Sequence, residues 1–336
     1  VSISSERGRR ISAFALTISL AGCAGHGATS AFVPQAAASA VSENAAASPS
    51  ADGTMYLVSR DTDAVLGFVR TAQGNAKPTA TIAGSNTLLS APDALALDPK
   101  SGNIYVVNDG GQGTASDKVL IFPRGANGNV TPKVLGGSKV PFKNSESVAV
   151  DASGKIYVAD YKAVAIYVFP AGATGNTAPI RTIKGHNTML TDPVGMAFDA
   201  SGDLYVTNTF NTTAQIVEFA PNAKGNVTPI ATIGGGNTKL GSYVFNVSID
   251  PKGRIVAANS TSVVIFPAGA HGNTQPQAVI SGGATGLNGV ISVGTDVWSN
   301  IYATNYDASK NVSSVVVFGP HAHGNNAPQR VISGAN

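Results

Sequence analysis

Residues 168–185 read VFPAGATGNTAPIRTIKG, and the chain writes variants of this phrase six times. The anchoring aromatics are Phe68, Phe122, Phe169, Phe219, Phe266 and Phe318. Each is followed by a Gly-Asn pair, ending at Asn75, Asn129, Asn176, Asn226, Asn273 and Asn325. A proline comes three residues later, at Pro78, Pro132, Pro179, Pro229, Pro276 and Pro328. A short aliphatic run then closes on Gly84, Gly136, Gly185, Gly235, Gly282 or Gly334. The anchors recur about every 50 residues, and a fixed period of that size marks a repeat architecture.

A second phrase lies between the copies of the first. Residues 193–208 are PVGMAFDASGDLYVTN, with counterparts at 92–108, 147–160, 246–259 and 290–305. Each is an apolar run, a short turn, usually Asp-x-x-Gly, and a second β-branched run ending in Asn or Asp. That pattern predicts two antiparallel strands, with Asp opening the turn and Gly taking its left-handed position. Trp298 stands in the last unit, where this turn chemistry is altered. The opening phrase supplies two more strands, one running into the Phe and one from the Pro to the closing Gly. Proline at the start of the fourth strand suits an outer edge, where a missing N–H costs least.

Four antiparallel strands per unit, repeated in a ring, predict an all-β six-bladed β-propeller over residues 53–336. Runs such as Ile166-Tyr167-Val168-Phe169 are apolar on both faces, as a blade sandwiched between two neighbours requires. The stretch DPVGMAFDASGDLYVTN, with IVEF after it, resembles the NHL repeat, and the resemblance covers all six units with the first incomplete. The basic residue often found in the third strand of that family is replaced here by Ala, Gln or Val. The first unit begins with its second strand, at Thr54–Ser59, while the last ends with its fourth, at Arg330–Ser333. The missing innermost strand of blade one is therefore expected from about Glu43–Pro49, recruited by pairing with Met55–Val58.

The N-terminus has a different character. RGRR at 7–10 is basic, and Ile11–Gly22 is apolar or small throughout. Twelve residues span only about 18 Å as a helix, too short for a hydrocarbon core of roughly 30 Å. Residues 1–22 are therefore expected to be a signal peptide. Leu20-Ala21-Gly22-Cys23 resembles the lipobox of bacterial lipoproteins, which implies cleavage before Cys23 and acylation of its thiol. The expected location is exported and lipid-anchored in the cell envelope, and Ala24 after the cysteine fits the outer membrane. Residues 23–52 are rich in Ala and Ser and read as a tether.

Composition narrows the function classes. Formal net charge is +3, of which Arg7, Arg9, Arg10 and Glu6 contribute two units. That is no electrostatic footprint for nucleic acid. The single cysteine excludes an internal disulfide. No P-loop, dinucleotide fingerprint or G-x-S-x-G is present.

In a propeller the innermost strands start, and the second strands end, on one face beside the central channel. The candidate ring there is Asp93, Asn108, Asp109, Glu146, Asp160, Asn208, Asn246, Asn259 and Asn305, with Arg60, Asp192, Asn288 and Asp307 beside them. Amides and carboxylates in a ring suit a polar ligand, a glycan or a hard cation such as Ca. The competing expectation is that Asn and Asp at strand ends bond the turning backbone. His186, His271, His321 and His323 are expected to be spread over turns, which argues against the three-histidine zinc centre of the peptidyl-hydroxyglycine lyase among NHL propellers. Glu146, Asn208 or Asn259, and Asp160 offer the residue types of a gluconolactonase-type divalent site. No catalytic residue, metal ligand or cofactor is assigned from the sequence. The expectation is a monomeric, membrane-anchored binding or scaffold module for an envelope protein or polar ligand. A divalent-metal lactonase or lyase, or a purely structural surface protein, is the alternative.

Overall fold

The computed structural model describes residues 38–39, 53–110, 117–210, 213–307, 309–310 and 312–333. The expected signal peptide, Cys23 and residues 43–49 lie outside them.

Among the described residues, twenty-four strands form six four-stranded antiparallel sheets. Blade one holds β1 (Ala38–Ser39), β2 (Thr54–Ser59), β3 (Ala64–Val69) and β4 (Ala80–Ile82); blade two holds β5 (Pro92–Leu97), β6 (Ile104–Asn108), β7 (Lys118–Phe122) and β8 (Lys133–Leu135). Blade three runs through β9 (Ser145–Val150), β10 (Ile156–Asp160), β11 (Ala165–Phe169) and β12 (Arg181–Ile183). Blade four contains β13 (Met196–Phe198), β14 (Leu204–Phe210), β15 (Thr213–Phe219) and β16 (Ala231–Ile233). Blade five contains β17 (Asn246–Ile249), β18 (Ile255–Asn259), β19 (Ser262–Phe266) and β20 (Ala278–Ile280). Blade six contains β21 (Val290–Thr295), β22 (Ile301–Asp307), β23 (Val312–Phe318) and β24 (Arg330–Ser333). The chain is an all-β six-bladed propeller.

The two-sided apolar strands have the expected cause. In β10, Ile156 and Val158 enter the core shared with blade two, while Tyr157 and Ala159 enter the core shared with blade four. There are six such clusters, one per seam, and each repeat phenylalanine sits in the seam to the preceding blade. Five of the six are fully buried and Phe68, at the closing seam, is nearly so. Burying a Phe side chain contributes about 1.5–3 kcal/mol, so the aromatic anchor is a main source of blade-to-blade cohesion.

The Gly-Asn phrase is a joint between blades. Gly225 of blade four makes a parallel bridge to Ile183, in the outer strand of blade three. The Gly225 amide donates to Thr182 O at 2.6 Å, and Lys184 N donates to Gly225 O at 3.0 Å. Equivalent bridges join Gly128 to Ile82, Gly175 to Leu135, Gly272 to Ile233 and Gly324 to Ile280. Gly74 bridges Ile332 and so closes the ring from blade one to blade six.

Recruitment at blade one occurs, but with different residues from those expected. Ala38 pairs with Ser59 and Ser39 with Val58, so the innermost strand begins upstream of residues 43–49. The antiparallel pairing brings the chain into the ring at the end where β2 finishes. The closing seam also carries Trp298, 46 % exposed, with the Arg70 guanidinium 4.1 Å above its ring and 3.8 Å from the Asp296 carboxylate. The altered turn of the last unit keeps its geometry. Asp296 accepts from the amides of Trp298 and Asn300, and Ser299 takes the left-handed conformation (φ 63°) that glycine holds in the other units. The Asp-x-x-Gly turns elsewhere do the same work: Asp151, for instance, accepts from the amides of Ser153 and Lys155. This is turn chemistry rather than calcium ligation.

A candidate binding face at the strand ends

Most of the predicted ring is occupied by the backbone. Asn208, in the second half of β14, accepts from the amides of Thr191 (2.8 Å) and Asp192 (3.1 Å), and its Nδ2 donates to Met189 O at 2.8 Å. Asn108 accepts from Ser90 N at 2.7 Å. Asn259 accepts from Gly241 N at 2.8 Å and donates to Lys239 O and Ser262 Oγ. Asn305 accepts from the amides of Asn288 and Gly289. In blades two to six a side chain at or near the end of the second strand ties down the loop that enters the innermost strand. Asp160 is the acidic version: it is fully buried, with Oδ2 accepting from Lys143 N and Asn144 N and Oδ1 from Ala163 N. The Ala163 amide is buried and would otherwise be orphaned, which is costly, while the other capped amides are half-shielded at the loops.

In the gluconolactonase-type set, the oxygens of Asp160, Asn208 and Asn259 accept backbone N–H groups of the loops beside them. Among the described residues no group of three or more His, Cys, Asp or Glu side chains is placed to hold a metal ion.

Other predicted residues do converge. The Arg60 guanidinium, just beyond β2, forks between two carboxylates of blade two: Nη1 donates to Asp93 Oδ1, and Nη2 donates to Asp109 Oδ2 at 2.7 Å. The pair is largely shielded, with side-chain exposures of 16 % for Arg60, 19 % for Asp93 and 7 % for Asp109. Guanidinium forks of this kind combine two charge-assisted bonds and fix direction. Glu146, the second residue of β9, accepts from Asn144 Nδ2 at 2.6 Å. Burial pushes its carboxyl up to about 7; Arg60 opposes the shift, and Asp109, Asp160 and Asp117 add to it. Glu146 is thus a carboxyl that changes charge near neutral pH, at the centre of a cluster spanning blades one to three.

Asp117 was not anticipated. It precedes β7, is 5 % exposed, and its Oδ2 accepts from Ser145 N at 2.7 Å while Oδ1 has no hydrogen-bond partner. Burial raises its pKa to about 6, and Asp109 and Asp160 push in the same direction. The signal lies in Asp117-Lys118-Val119, because third strands start on the face where second strands end, and a ring of first- and second-strand residues alone omits it.

The remaining residues stay apart from this cluster. Asn246 reaches blade six, accepting from Val293 N at 3.4 Å, beside a Ser248–Thr295 hydroxyl contact of 3.0 Å. Asp307 binds Ser309 and Lys310 in its own turn, and the Lys310 and Ser309 hydrogen bonds hold its pKa down to about 2.

No protein-family model and no curated protein matches the chain. Its fold is matched in solved structures. A chain of Kuenenia stuttgartiensis hydrazine synthase superposes with a TM-score of 0.55 at 14% identity, covering 88% of this chain and 99% of that one. A functionally unknown protein from Desulfotomaculum acetoxidans DSM 771 gives a TM-score of 0.56 at 11% identity, covering 85% of this chain and 87% of that one. At such identities the likeness shows the propeller fold alone, and propellers host binders and enzymes alike.

Proposed function

We propose that the chain is an NHL-like, lipid-anchored propeller of the cell envelope that acts as a monomeric binding module, taking a polar ligand or protein group at the Arg60–Glu146 face. One observation carries this reading. The strand-end side chains split into caps that are fully used by the backbone and a charged cluster, Arg60, Asp93, Asp109, Asp117 and Glu146, that is built across three blades. A cluster of one guanidinium and four carboxyls can recognise a donor-rich or cationic group. The caps beside it make the site rigid.

The experiment compares the parent with Arg60→Met and Glu146→Gln in capture from envelope extracts, read as saturable binding of a defined species. A partner held by the parent and lost by both variants supports a binding site at this face. Binding by neither parent nor variants favours a purely structural surface role. Mass spectrometry of the native chain against Cys23→Ser checks the anchor, and an unacylated parent would end that part of the reading.

A second reading rests on the place of Glu146 among Arg60, Asp109 and Asp117. A carboxyl pushed up by burial beside other carboxylates is suited to general acid–base work, so Glu146 fits the acid–base group of a hydrolase or lyase. A lactone-hydrolysis screen with turnover abolished by Glu146→Gln would favour the enzyme over the binder.

A further inference from the structure

Three innermost strands carry a β-bulge at the same place. The register of β5, β9 and β21 against the second strand slips there, so Asp93, Glu146 and Ile291 are each an extra residue in the ladder. A bulge re-aims the side chain of its extra residue. Val194 and Phe245 hold the same position in blades four and five, five residues before the turn aspartate in every case. All five side chains are half-buried, whereas the residue preceding each is buried. On innermost strands they ring one level of the central channel, at the charged face. That level has two halves. Blades two and three supply Asp93 and Glu146, with Arg60 of blade one bound to Asp93. Blades four, five and six supply Val194, Phe245 and Ile291, and Tyr243 stacks on Phe245 with ring centroids 6.2 Å apart.

We infer that this channel level takes an organic ammonium ion with an apolar body, the ammonium on Glu146 and the body against Val194, Phe245 and Ile291. This deepens the binding reading above and rests on it. The polar half is short of positive charge. Arg60 is engaged by Asp93 and Asp109. Among the described residues Glu146 accepts at Oε1, from Asn144 Nδ2, which leaves Oε2 for a ligand. Behind the bulge, buried Asp117 holds the Ser145 amide through Oδ2, and its Oδ1 has no hydrogen-bond partner. Carboxyls with open acceptors in a shielded site favour a cation over an anion or a neutral group. The three side chains opposite offer neither donor nor acceptor, so what they can hold is apolar surface. A small hydrated cation would leave that half unused, and a neutral apolar molecule would leave the carboxyls uncompensated. The two halves together select a cation that carries apolar area.

The probe is 4-phenylbutylammonium, titrated calorimetrically into the full chain, with methylammonium and 4-phenylbutan-1-ol as controls. Each control lacks one of the two recognised features. The expected result is saturable binding about tenfold tighter than either control, because a charge-assisted hydrogen bond and burial of a phenyl group are each worth about that factor. Glu146→Gln should weaken the probe about tenfold while leaving the alcohol unchanged. Phe245→Ala should weaken the probe but not methylammonium, and Ile291→Thr makes the same test without opening a cavity. No binding of the probe, binding no tighter than the alcohol, or full retention by both apolar variants would overturn the inference. If the parent nonetheless captures an anionic or neutral envelope species that Arg60→Met releases, the face is a binding site and the ligand class alone is wrong. If it captures none, the binding reading falls with it.

Discussion

Asn226 of blade four accepts a hydrogen bond from the backbone amide of Asn187 in blade three, at 2.7 Å. The same side chain lies where a Cβ on Gly185 would be, and Gly185 has a φ of 129° that L residues rarely adopt. The most repeated residues in the chain are thus the two halves of one joint: a glycine that makes room and an asparagine, one blade on, that fills it. Asn129 with Gly84, Asn176 with Gly137, Asn273 with Gly235 and Asn325 with Gly282 repeat the arrangement, so in the second unit the joint glycine is Gly137 rather than the expected Gly136, which faces Lys118.

Breaking either half should be unequal. Asn226→Ala removes one hydrogen bond and leaves the exposed Asn187 amide to water, an expected loss of about 1 kcal/mol. Gly185→Ala meets both the Asn226 side chain and a forbidden backbone region, and should cost more than about 2 kcal/mol. The double variant should recover only part of that loss, since the backbone strain stays. Urea denaturation of the four proteins checks the order.

A second prediction concerns the choice between Asn and Asp at the strand-end caps. Asp160 uses both oxygens as acceptors for three amides, whereas Asn208 needs Nδ2 to donate to Met189 O. Asp160→Asn should therefore lose about 1–3 kcal/mol by orphaning a buried amide, and Asn208→Asp a similar amount by facing a carboxylate with a carbonyl. Equal stability of either swap with the parent, by thermal or denaturant unfolding, would refute the capping account.

These two cases show which parts of the molecule were legible beforehand. Strand order, blade count and seam packing follow from local signals that recur: Phe169 and its counterparts for the core, the turn aspartates, and the prolines opening the outer strands. The function of Gly185 and Asn226 was legible only as repetition, since they meet across a blade boundary. The innermost strand of blade one was misplaced because Glu43–Pro49 and Ala38–Ser39 are equally poor in β-branched residues, so propensity could not choose between them. Ring position nominated Asn208 and Glu146 alike. Their separation into cap and charged group depends on which loop amides lie nearby, and Asp117 recurs only as Asp63, which stands at the same place before β3 and accepts from Ala91 N, too seldom to draw the eye.

A third prediction follows from the left-handed residues after the outer strands. Lys239 is exposed with φ 59°, while Gly286 holds the corresponding place in blade six with φ 70°. Lys239→Gly relieves a left-handed side-chain clash, offset in part by the greater entropy of glycine in the unfolded chain, and should stabilise by about 0.5–1 kcal/mol. A differential scan showing a lower melting temperature would refute it.

The last prediction is the pH response of the charged face. The Glu146 carboxyl is raised by burial to about 7 from its ordinary 4.5, so between those values the folded protein binds a proton that the unfolded chain has released. Stability from this group is full below about 4.5 and is lost as pH rises toward and through 7. Asp117, raised to about 6, acts in the same direction. Glu146→Gln keeps the shape and an acceptor for Asn144 but cannot ionise. Its melting temperature should therefore fall less than the parent's between pH 5 and pH 8, with the variant the more stable protein at pH 8. Arg60→Met removes the one cation that opposes the shift, so the parent's downward slope should steepen and move to lower stability throughout. Parallel melting-temperature profiles for parent and Glu146→Gln across this range would mean that Glu146 does not titrate in the window, and the charged face would lose its pH-responsive group.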